Sequence, residues 1–431
     1  MKICVCGLWH LGLVTAACVA AEFETVAFDF DAGAVDAIRA GTLPIFEPGL
    51  AELVADGAAS GKLTFSSDAR DALRDADIVW IAWDTPVDDD DRADVAFVAD
   101  RIRRLFPHLK PGALLLISSQ VPVGFSREIL AQCAASSGRG DVSVAYSPEN
   151  LRLGTAIAAF TGAARVVLGS AEPGDRRAAQ VFGRFTPVVI EMSLESAEMA
   201  KHALNAFLAT ELSFVNEIGA VCEATAADVA DVARALRSDP RVGERAYLSP
   251  GPGFAGGTLA RDVGTLEDVA AQSGLTLPLL ASIRGSNRQN QTWPLRKLRE
   301  ILDPAGSTIA LLGLTYKPGT DTLRRSSAVE LAGALAQAGA RVRAYDPAIR
   351  ELPAHLRETI ELAESVDAVL AGADAAIVAT EWPQFSEIAS QTFVSLMRAP
   401  VVVDARRILD ASVREDPRVR YYAIGLGTPK S

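Results

Sequence analysis

The first 31 residues, MKICVCGLWHLGLVTAACVAAEFETVAFDFD, read as a strand, a glycine-containing turn, an apolar helix and a second strand ending at Asp29. This order predicts a βαβ unit with parallel strands. The same plan returns at residues 307–347, where the second strand ends at Asp346. The duplication predicts an α/β chain with two Rossmann-like domains, whose parallel sheets bind ligands at the carboxyl ends of their strands.

The middle of the chain is predicted to be helical. Between Ser193 and Arg237 the Ala-rich sequence keeps helical spacing and contains no proline and one glycine, Gly219, so we expect a long helix there. A chain of 431 residues is too long for one ordinary core. We therefore expect a Rossmann-like domain at residues 1–190, a helical central domain at 191–295 that joins the two sheets, and a second Rossmann-like domain at 300–431.

Composition and charge exclude whole classes of partner. The formal net charge of −12 argues against a nucleic-acid surface, and no apolar run approaches the roughly 20 residues of a membrane helix. The five cysteines lack a CxxC metal spacing, and Cys4 and Cys6 alternate in an apolar run that predicts buried strand positions. The acidic segment 87–94 is predicted to be a solvated loop, and we predict no metal site. Without a signal peptide, we expect a cytoplasmic protein with reduced thiols.

The turn after the first strand resembles a dinucleotide fingerprint. Gly7 and Gly12 hold the first and third positions of G-x-G-x-x-G, whereas Trp9 holds the second. The tryptophan is tolerable only if its φ is negative and its ring turns away from the pyrophosphate. Asp29 lies where a carboxylate accepts from a ribose 2′-hydroxyl and repels a 2′-phosphate, which favours NAD over NADP. The alternative is an α/β turn that has lost its cofactor.

An ordered set of motifs makes the chain resemble the UDP-glucose/GDP-mannose dehydrogenase family over nearly its whole length. The motifs are LPIFEPGLAELV, WDTP, VPVG, SPENLRLGTAI, KHALNAFLA, GPGFAGGTLARD, LTYKPGTDTLRRS, YDP, TEWPQF and VVVDARRILD. The resemblance implies an N-terminal NAD domain, a central dimerising helix and a C-terminal nucleotide-sugar domain. Members oxidise the C6 alcohol of the sugar to a carboxylate through two hydride transfers and an enzyme thioester. A cytoplasmic homodimer acting on a UDP-sugar is the implied form.

The catalytic residues implied by the resemblance are Lys201, Asn205, Asp262, Glu149 and Thr258. Lys201 and Asn205 are four residues apart, so a helix presents both on one face. A lysine can accept the proton of an alcohol, or hold a water that does, while the asparagine amide donates to the developing oxyanion. Glu149 and Asp262 are candidates to orient a water or to hydrogen-bond Lys201. An exposed lysine and a helix-internal asparagine are the structural alternative.

The resemblance also implies two binding sets. The NAD set is Gly7, Trp9, His10, Leu11, Gly12, Asp29, Thr85, Pro86, Gln120, Glu149, Arg261 and Arg324. The substrate set is Glu149, Asn150, Leu151, Arg152, Leu153, Lys201, Asn205, Arg241, Tyr247, Phe254, Gly256, Lys317 and Arg406. Its cations would supply positive charge for a diphosphate, although each could instead be a surface cation, and Arg241 would reach the sugar of the neighbouring subunit.

The chain departs from the family pattern at residues that would take part in the reaction or bind the cofactor. Thr258 stands at the position of the catalytic cysteine, and Arg261 replaces the lysine three residues later. Leu153 replaces the second glutamate of the NPEFLREG-like loop. Gln120 stands where the family has the threonine of STVPVG, and Asp84 stands where a glycine usually precedes Thr85 and Pro86. A threonine hydroxyl is a poor nucleophile without a strong base nearby, so Thr258 is expected to be a hydrogen-bond partner or to fill the vacated space.

Three hypotheses follow from these departures. The first is an NAD-dependent UDP-sugar dehydrogenase that oxidises C6 in a single two-electron step, because the catalytic cysteine is absent. The second is full four-electron oxidation to the uronic acid through the aldehyde hydrate, without a thioester. The third is an inactive relative that binds nucleotide sugar or NAD; the retained Lys201, Asn205 and Asp262 argue against it, because a binding protein needs no base at the sugar.

Overall fold

The computed structural model describes residues 1–88, 93–137, 140–149, 151–172, 174–255 and 257–427. The chain divides into two compact units, Met1–Leu204 and Asn205–Ser431. Part of the acidic segment 87–94 lies outside the described residues. No helix in the described part of the chain is long and apolar enough to cross a bilayer.

The first unit is built on a sheet that, in its described residues, has eight strands. In chain order the strands are β1 (Lys2–Cys6), β2 (Glu24–Phe28), β3 (Leu63–Ser66), β4 (Ile78–Ile81), β5 (Leu114–Ile117), β6 (Ser143–Tyr146), β7 (Val166–Ser170) and β8 (Val189–Ser193). The spatial order is β3-β2-β1-β4-β5-β6-β7-β8. Every neighbouring pair is parallel except β6 and β7, which are antiparallel. The strand order therefore reverses between β1 and β4, which is where an open α/β sheet binds its ligand.

Helices connect these strands and cover both faces of the sheet. They are α1 (His10–Ala20), α2 (Ala32–Arg39), α3 (Leu50–Ala59), α4 (Ala69–Leu73), α5 (Val95–Leu105), the 3-10 turn Phe106–His108, α6 (Phe125–Ser137), α7 (Ala156–Thr161) and α8 (Arg177–Phe182), followed by the long helix α9 (Leu194–Thr225). Strands β1, β4 and β5 are apolar at successive positions because they are buried on both faces. Cys4 and Cys6 are fully buried on β1, as predicted.

The second unit begins within α9 and continues as a helical region. Its next helices are α10 (Val229–Ser238), α11 (Thr258–Gln272), α12 (Pro278–Gln291) and α13 (Trp293–Ile301). The predicted long helix of the central region is confirmed, and it spans 32 residues. The sequence between Ser193 and Arg237 contains a second helix, α10, because Ala226 takes a positive φ of 61° and ends the first.

The second unit ends in a parallel sheet. Its elements are β9 (Thr308–Leu312), α14 (Ser327–Gln337), β10 (Arg341–Tyr345), the 3-10 turn Ala354–Leu356, β11 (Ile360–Leu362), α15 (Val366–Leu370), β12 (Ala375–Val378), α16 (Pro383–Ser386), α17 (Ser390–Leu396), β13 (Val401–Asp404), α18 (Ala411–Glu415) and β14 (Arg420–Ala423). The order β11-β10-β9-β12-β13-β14 repeats the order reversal of the first unit. The predicted α/β fold with two Rossmann-like sheets and a helical central region is confirmed, while the division at residues 190, 191–295 and 300 stays a prediction.

Candidate active site

The turn that leaves β1 has the geometry of a dinucleotide-binding turn. Gly7 takes φ +103°, which a residue with a side chain adopts only with strain. A Cβ atom at Gly7 would lie 2.7 Å from the Trp83 nitrogen, and a Cβ atom at Gly12 would lie 1.7 Å from the Gly7 carbonyl oxygen. Both glycines are therefore required where α1 packs against the strand ends. The turn fits the pyrophosphate of a dinucleotide, which the amino end of α1 would hold.

The backbone of Trp9 has the negative φ that a bulky residue needs at this position of the turn. The residue directly precedes α1 with φ −88°, and 52% of its surface is exposed. Its backbone conformation does not need glycine.

Asp29 ends β2, and its carboxylate is held in place by three donors. Oδ2 accepts from the Leu8 nitrogen at 3.0 Å and from Trp83 Nε1 at 3.2 Å, and Oδ1 accepts from the Asp31 nitrogen at 3.1 Å. These bonds fix the negative charge at the end of β2, beside the turn. This placement supports the expected choice of NAD over NADP, because a 2′-phosphate would meet a fixed like charge.

The loop after β4 faces the same turn. The Thr85 hydroxyl donates to the Gln120 carbonyl oxygen at 2.7 Å, which joins the loops that follow β4 and β5, and Pro86 is exposed. Asp84 is exposed on this loop. Desolvation by the surrounding protein, followed by the nearby charge of Glu149, raises the pKa of Asp84 to about 6.

Glu47 is a buried carboxylate that the sequence analysis missed. It is 4% exposed and accepts from the nitrogens of Gly154 and Ala156 at 2.7 and 2.8 Å and from His10 Nε2 at 3.3 Å. Glu47 thus ties the start of α1 to the loop that precedes α7. Its place in LPIFEPGL, between Phe46 and Pro48, carried no signal of this role.

Lys201 meets the loop after β6. The side chain is 7% exposed on α9, and its Nζ donates to the main-chain carbonyl oxygen of Glu149 at 2.8 Å. The Glu149 carboxylate in turn accepts the Leu151 nitrogen at 2.6 Å. This buried lysine excludes the alternative of an exposed surface cation. Arg152 and Leu153 are exposed on the same loop, and Asn150 lies outside the described residues.

In the second unit, Asn205 and Asp262 form a buried pair. The Asn205 amide donates to the Asp262 carboxylate, and the two residues are 6% and 0% exposed. Because an isolated buried carboxylate is costly, this bond fixes the side chain of Asn205. The predicted one-face spacing of Lys201 and Asn205 is realised, since both lie on the continuous helix α9.

The glycine-rich loop before α11 is held by amide side chains that sequence reasoning missed. The Asn287 amide bonds both the nitrogen and the carbonyl oxygen of Phe254, at 2.9 and 2.8 Å. The Gly251 nitrogen donates to Asn216 at 3.0 Å, and its carbonyl oxygen accepts from Asn290 at 2.5 Å. A Cβ atom at Gly253, where φ is +86°, would lie 2.6 Å from Asn287 Oδ1. Gly253 therefore serves close packing against α12, and Gly256 lies outside the described residues.

Thr258 is the first residue of α11 and is exposed. Its hydroxyl has no hydrogen-bond partner among the described residues, so no base there activates it. Arg261, one turn into α11, is half-buried, and its backbone nitrogen donates to the Gly257 carbonyl oxygen at 2.9 Å. The first turn of α11 thus offers backbone N–H groups and an unactivated hydroxyl.

The remaining predicted binding residues of the second unit differ in exposure. Arg241 is 89% exposed and makes a bidentate pair with Asp239. Tyr247 is 40% exposed and Lys317 is half-buried. Arg324 lines a cleft of about 610 Å³ together with Arg350 and other residues.

Arg406 is half-buried, with 18% of its side chain exposed, which argues against the surface-cation alternative at that position. Its guanidinium donates to the Ala379 carbonyl oxygen at 2.8 Å and pairs with Glu381 at 3.2 Å. Desolvation lowers its pKa despite the neighbouring Glu381 and Asp404 carboxylates. The ends of β12 and β13 are thereby joined.

The second Rossmann-like sheet buries the carboxylate at the position that corresponds to Asp29. Asp346 ends β10, and its Oδ2 accepts from the nitrogens of Leu314 and Thr315 at 2.7 and 2.9 Å and from Trp382 Nε1 at 3.1 Å. The residue is 1% exposed. A Cβ atom at Gly313 would lie 2.4 Å from the Thr380 side chain. Protein groups thus enclose Asp346, whereas Asp29 is only partly buried.

Family models match the chain in three segments. Residues 1–186 match the NAD binding domain of the UDP-glucose/GDP-mannose dehydrogenase family, residues 195–289 its central domain and residues 310–411 its UDP binding domain. Together these segments cover most of the sequence.

Individual relatives match over nearly the full length. The chain is 35% identical to the UDP-glucose 6-dehydrogenase TuaD of Bacillus subtilis, over 98% of this chain and 93% of that protein. It is 36% identical to the UDP-glucose 6-dehydrogenase of Rhizobium meliloti, over 99% of each. Among solved structures, the UDP-glucose dehydrogenase of Pyrobaculum islandicum superposes with a TM-score of 0.86 at 30% identity, covering 99% of this chain and 98% of that one.

Proposed function

The chain belongs to the UDP-glucose/GDP-mannose dehydrogenase family, and from this premise we propose that it oxidises the C6 hydroxyl of a UDP-sugar in a single NAD-dependent two-electron step. The proposal rests on a site that keeps two of the family's catalytic residue types and lacks the third. The base and amide positions are filled by the buried Lys201 and Asn205, while the nucleophile position holds the exposed, unactivated Thr258.

Lys201 is the proposed base. Its bond to the Glu149 carbonyl oxygen fixes Nζ. As a neutral amine Nζ would accept the proton of the sugar hydroxyl, and as an ammonium it would hold a water that takes that proton. Bound NAD would supply the hydride acceptor. Gly7, Gly12 and Asp29 are the residues that would hold the dinucleotide, because the turn excludes side chains and Asp29 is fixed at the end of β2.

Asn205 is the proposed oxyanion donor. Its amide is oriented by the buried Asp262, so that it need not reorganise when charge develops on the sugar oxygen. The same oxygen would face Lys201, which lies one helical turn away. Asp262 therefore acts as a positioning residue in this proposal.

The reaction would stop at the aldehyde because a second oxidation needs a covalent adduct or a hydrated aldehyde as hydride donor. Thr258 lacks a base among the described residues, which disfavours the adduct. Leu153 removes a carboxylate that could assist water. The UDP moiety would be bound by the cations of the substrate set, which include the half-buried Lys317 and the exposed Arg241.

Counting NADH against a panel of nucleotide sugars tests the proposal. We expect a UDP-hexose with a free C6 hydroxyl to give one NADH per sugar and an aldehyde identified by mass. Two NADH and a uronic acid would establish the four-electron alternative. Binding of the sugar without NADH formation would establish the inactive relative. GDP-mannose, which differs in base and sugar, serves as the control for nucleotide choice.

We also propose a homodimer formed through α9. Phe207, Phe214 and Val221 lie seven residues apart and are 60%, 48% and 57% exposed, so they form an apolar stripe along one side of the helix. Exposed apolar surface of this kind marks an interface. Arg241, with its side chain free of buried contacts, would then be available to the neighbouring subunit.

A charge on the stripe is expected to separate the dimer. Phe214→Asp should weaken dimerisation roughly a hundredfold, because an unpaired carboxylate would be buried at the interface. Sedimentation of the variant at micromolar concentration should show a monomer with little activity. Leu279→Asp is the matched control, since Leu279 is 64% exposed on a different helix, α12. A Phe214→Asp variant that remains dimeric would contradict the interface.

A cytoplasmic location is part of the proposal. All five cysteines are free and buried, which is the usual state of thiols in a reducing compartment.

A further inference from the structure

Glu47 joins two segments of the first unit through a single buried oxygen. Its side chain is 1% exposed. Oε2 accepts from the Gly154 nitrogen at 2.7 Å and lies 3.3 Å from His10 Nε2, while Oε1 accepts from the Ala156 nitrogen at 2.8 Å. The same oxygen therefore serves a side chain of α1 and the backbone of the loop that precedes α7.

The two joined segments face different ligands. His10 is the first residue of α1, the helix whose amino end would hold the NAD pyrophosphate. Gly154 closes the loop at residues 149–154, hereafter the substrate loop, which follows β6 and contains Leu153 of the predicted substrate set. A restraint on His10 can thus reach the substrate loop through one carboxylate oxygen.

The substrate loop is held at both ends. At its start the Glu149 carbonyl oxygen accepts from Lys201 Nζ at 2.8 Å, and at its end the Gly154 nitrogen donates to Glu47. Between these anchors Arg152 and Leu153 are exposed. Because exposed residues gain little from packing, the order of this part of the loop depends on the anchors.

We propose that Glu47 is a positioning residue that couples the cofactor to the substrate. NAD bound at the start of α1 would fix His10, and Glu47 would pass this restraint to the substrate loop. The two ligands then bind with positive cooperativity, since each orders a segment that the other also requires. The inference rests on the proposed function, because it places the sugar at the substrate loop.

A purely structural role for Glu47 predicts a different result. A buried carboxylate with several donors stabilises the fold, and its loss lowers the free energy of unfolding. That loss leaves the ratio of two affinities unchanged at a temperature where the variant is folded. The coupling factor is the Kd of NADH alone divided by its Kd with nucleotide sugar present. NADH serves as the probe because the reduced cofactor accepts no hydride, so the sugar is not oxidised.

Hydrogen exchange of residues 151–157, with and without saturating NADH and with no sugar, tests the link between the two segments. In the unmodified protein we expect NADH to slow the exchange of these amides about fivefold. His10→Phe keeps a ring at this position, removes the nitrogen that contacts Oε2 and leaves the bonds from Glu47 to the loop. It should abolish the protection. Glu47→Met should abolish it too and should speed the exchange with and without NADH.

Titration of NADH by its fluorescence, with and without the UDP-hexose that yields NADH from NAD, tests the coupling of affinities. We expect a coupling factor of about five in the unmodified protein and of about one in His10→Phe and Glu47→Met. If no sugar yields NADH, hydrogen exchange alone decides.

Two matched controls lie at the amino ends of the strands, opposite the ligand edge. His108→Phe changes a half-buried histidine in the turn before β5. Asp175→Leu removes a carboxylate that is 11% exposed and accepts from Arg177 and from Ser143, the first residue of β6. Both controls should keep the protection and the coupling factor of the unmodified protein.

Retention of the NADH-dependent protection in His10→Phe and Glu47→Met overturns the proposal. An unmodified protein that shows no protection, or a coupling factor of one with its own substrate, overturns it as well. If Glu47→Met does not fold, His10→Phe gives the answer alone. Neither measurement depends on turnover, so failure here leaves the oxidation of C6 to the count of NADH per sugar.

Discussion

Replacing Lys201 with methionine is expected to lower kcat by about 10²- to 10⁴-fold, the range for loss of a general base. Lys201 is buried and donates to the Glu149 carbonyl oxygen. The variant therefore removes the proposed base and also the hydrogen bond that holds it in position. Methionine has a similar length and fills the space without adding a charge. NAD affinity, measured by calorimetry, should stay within about twofold, because the Gly7 turn is untouched.

Lys297→Met is the matched control for this result. Lys297 is also largely buried, with 18% of its side chain exposed, and it pairs with Glu223 and Glu300. Its loss should reduce thermal stability with little effect on kcat at a temperature where the variant is folded. A Lys201→Met enzyme that keeps more than a third of the original kcat would remove Lys201 from the role of base.

The fold was predictable wherever burial decides the sequence pattern. Strands with apolar residues at every position, such as β4 and β5, can only be the inner strands of a covered parallel sheet. The required glycines at residues 7 and 12 were equally readable, because close approach of a helix to a strand end leaves no room for a Cβ atom. The antiparallel pairing of β6 and β7 could not be predicted, since a reversal of strand direction leaves no mark on the periodicity of the sequence.

The site residues that belong to a family motif could be predicted from the sequence. The residues that hold a distant loop in position could not. Glu47 and Asn287 each satisfy several backbone groups from a distant part of the chain. Nothing in their local sequence distinguishes them from a loop glutamate or a helix-surface asparagine. Asp84 was visible as a departure from the glycine of the family, but its raised pKa required the structure.

The predicted single oxidation depends most on residue 258, and Thr258→Cys is expected to change the product. Thr258 begins the 15-residue helix α11, and a thiol at a helix amino end has a lowered pKa and is more often the reactive thiolate. The loop before it is held in shape by Asn287 and Asn290, so the substitution should not disturb the glycines. A thiolate there can add to the aldehyde, and the adduct is a better hydride donor than the free aldehyde.

The measurement is NADH per sugar with the product identified by mass. We expect Thr258→Cys to raise the ratio from one towards two and to yield some uronic acid, while Thr258→Ser, which keeps a hydroxyl, stays at one. Leu153→Glu added to Thr258→Cys should increase the acid further, because the exposed position after Arg152 would regain a carboxylate able to assist water in releasing the acyl group. If the unmodified enzyme already gives two NADH, the hydrate route operates. The missing thiol then does not prevent the second oxidation. If the unmodified enzyme gives one and the double variant also gives one, the arrest lies in other departures, of which Arg261 in the second turn of α11 is the nearest to residue 258.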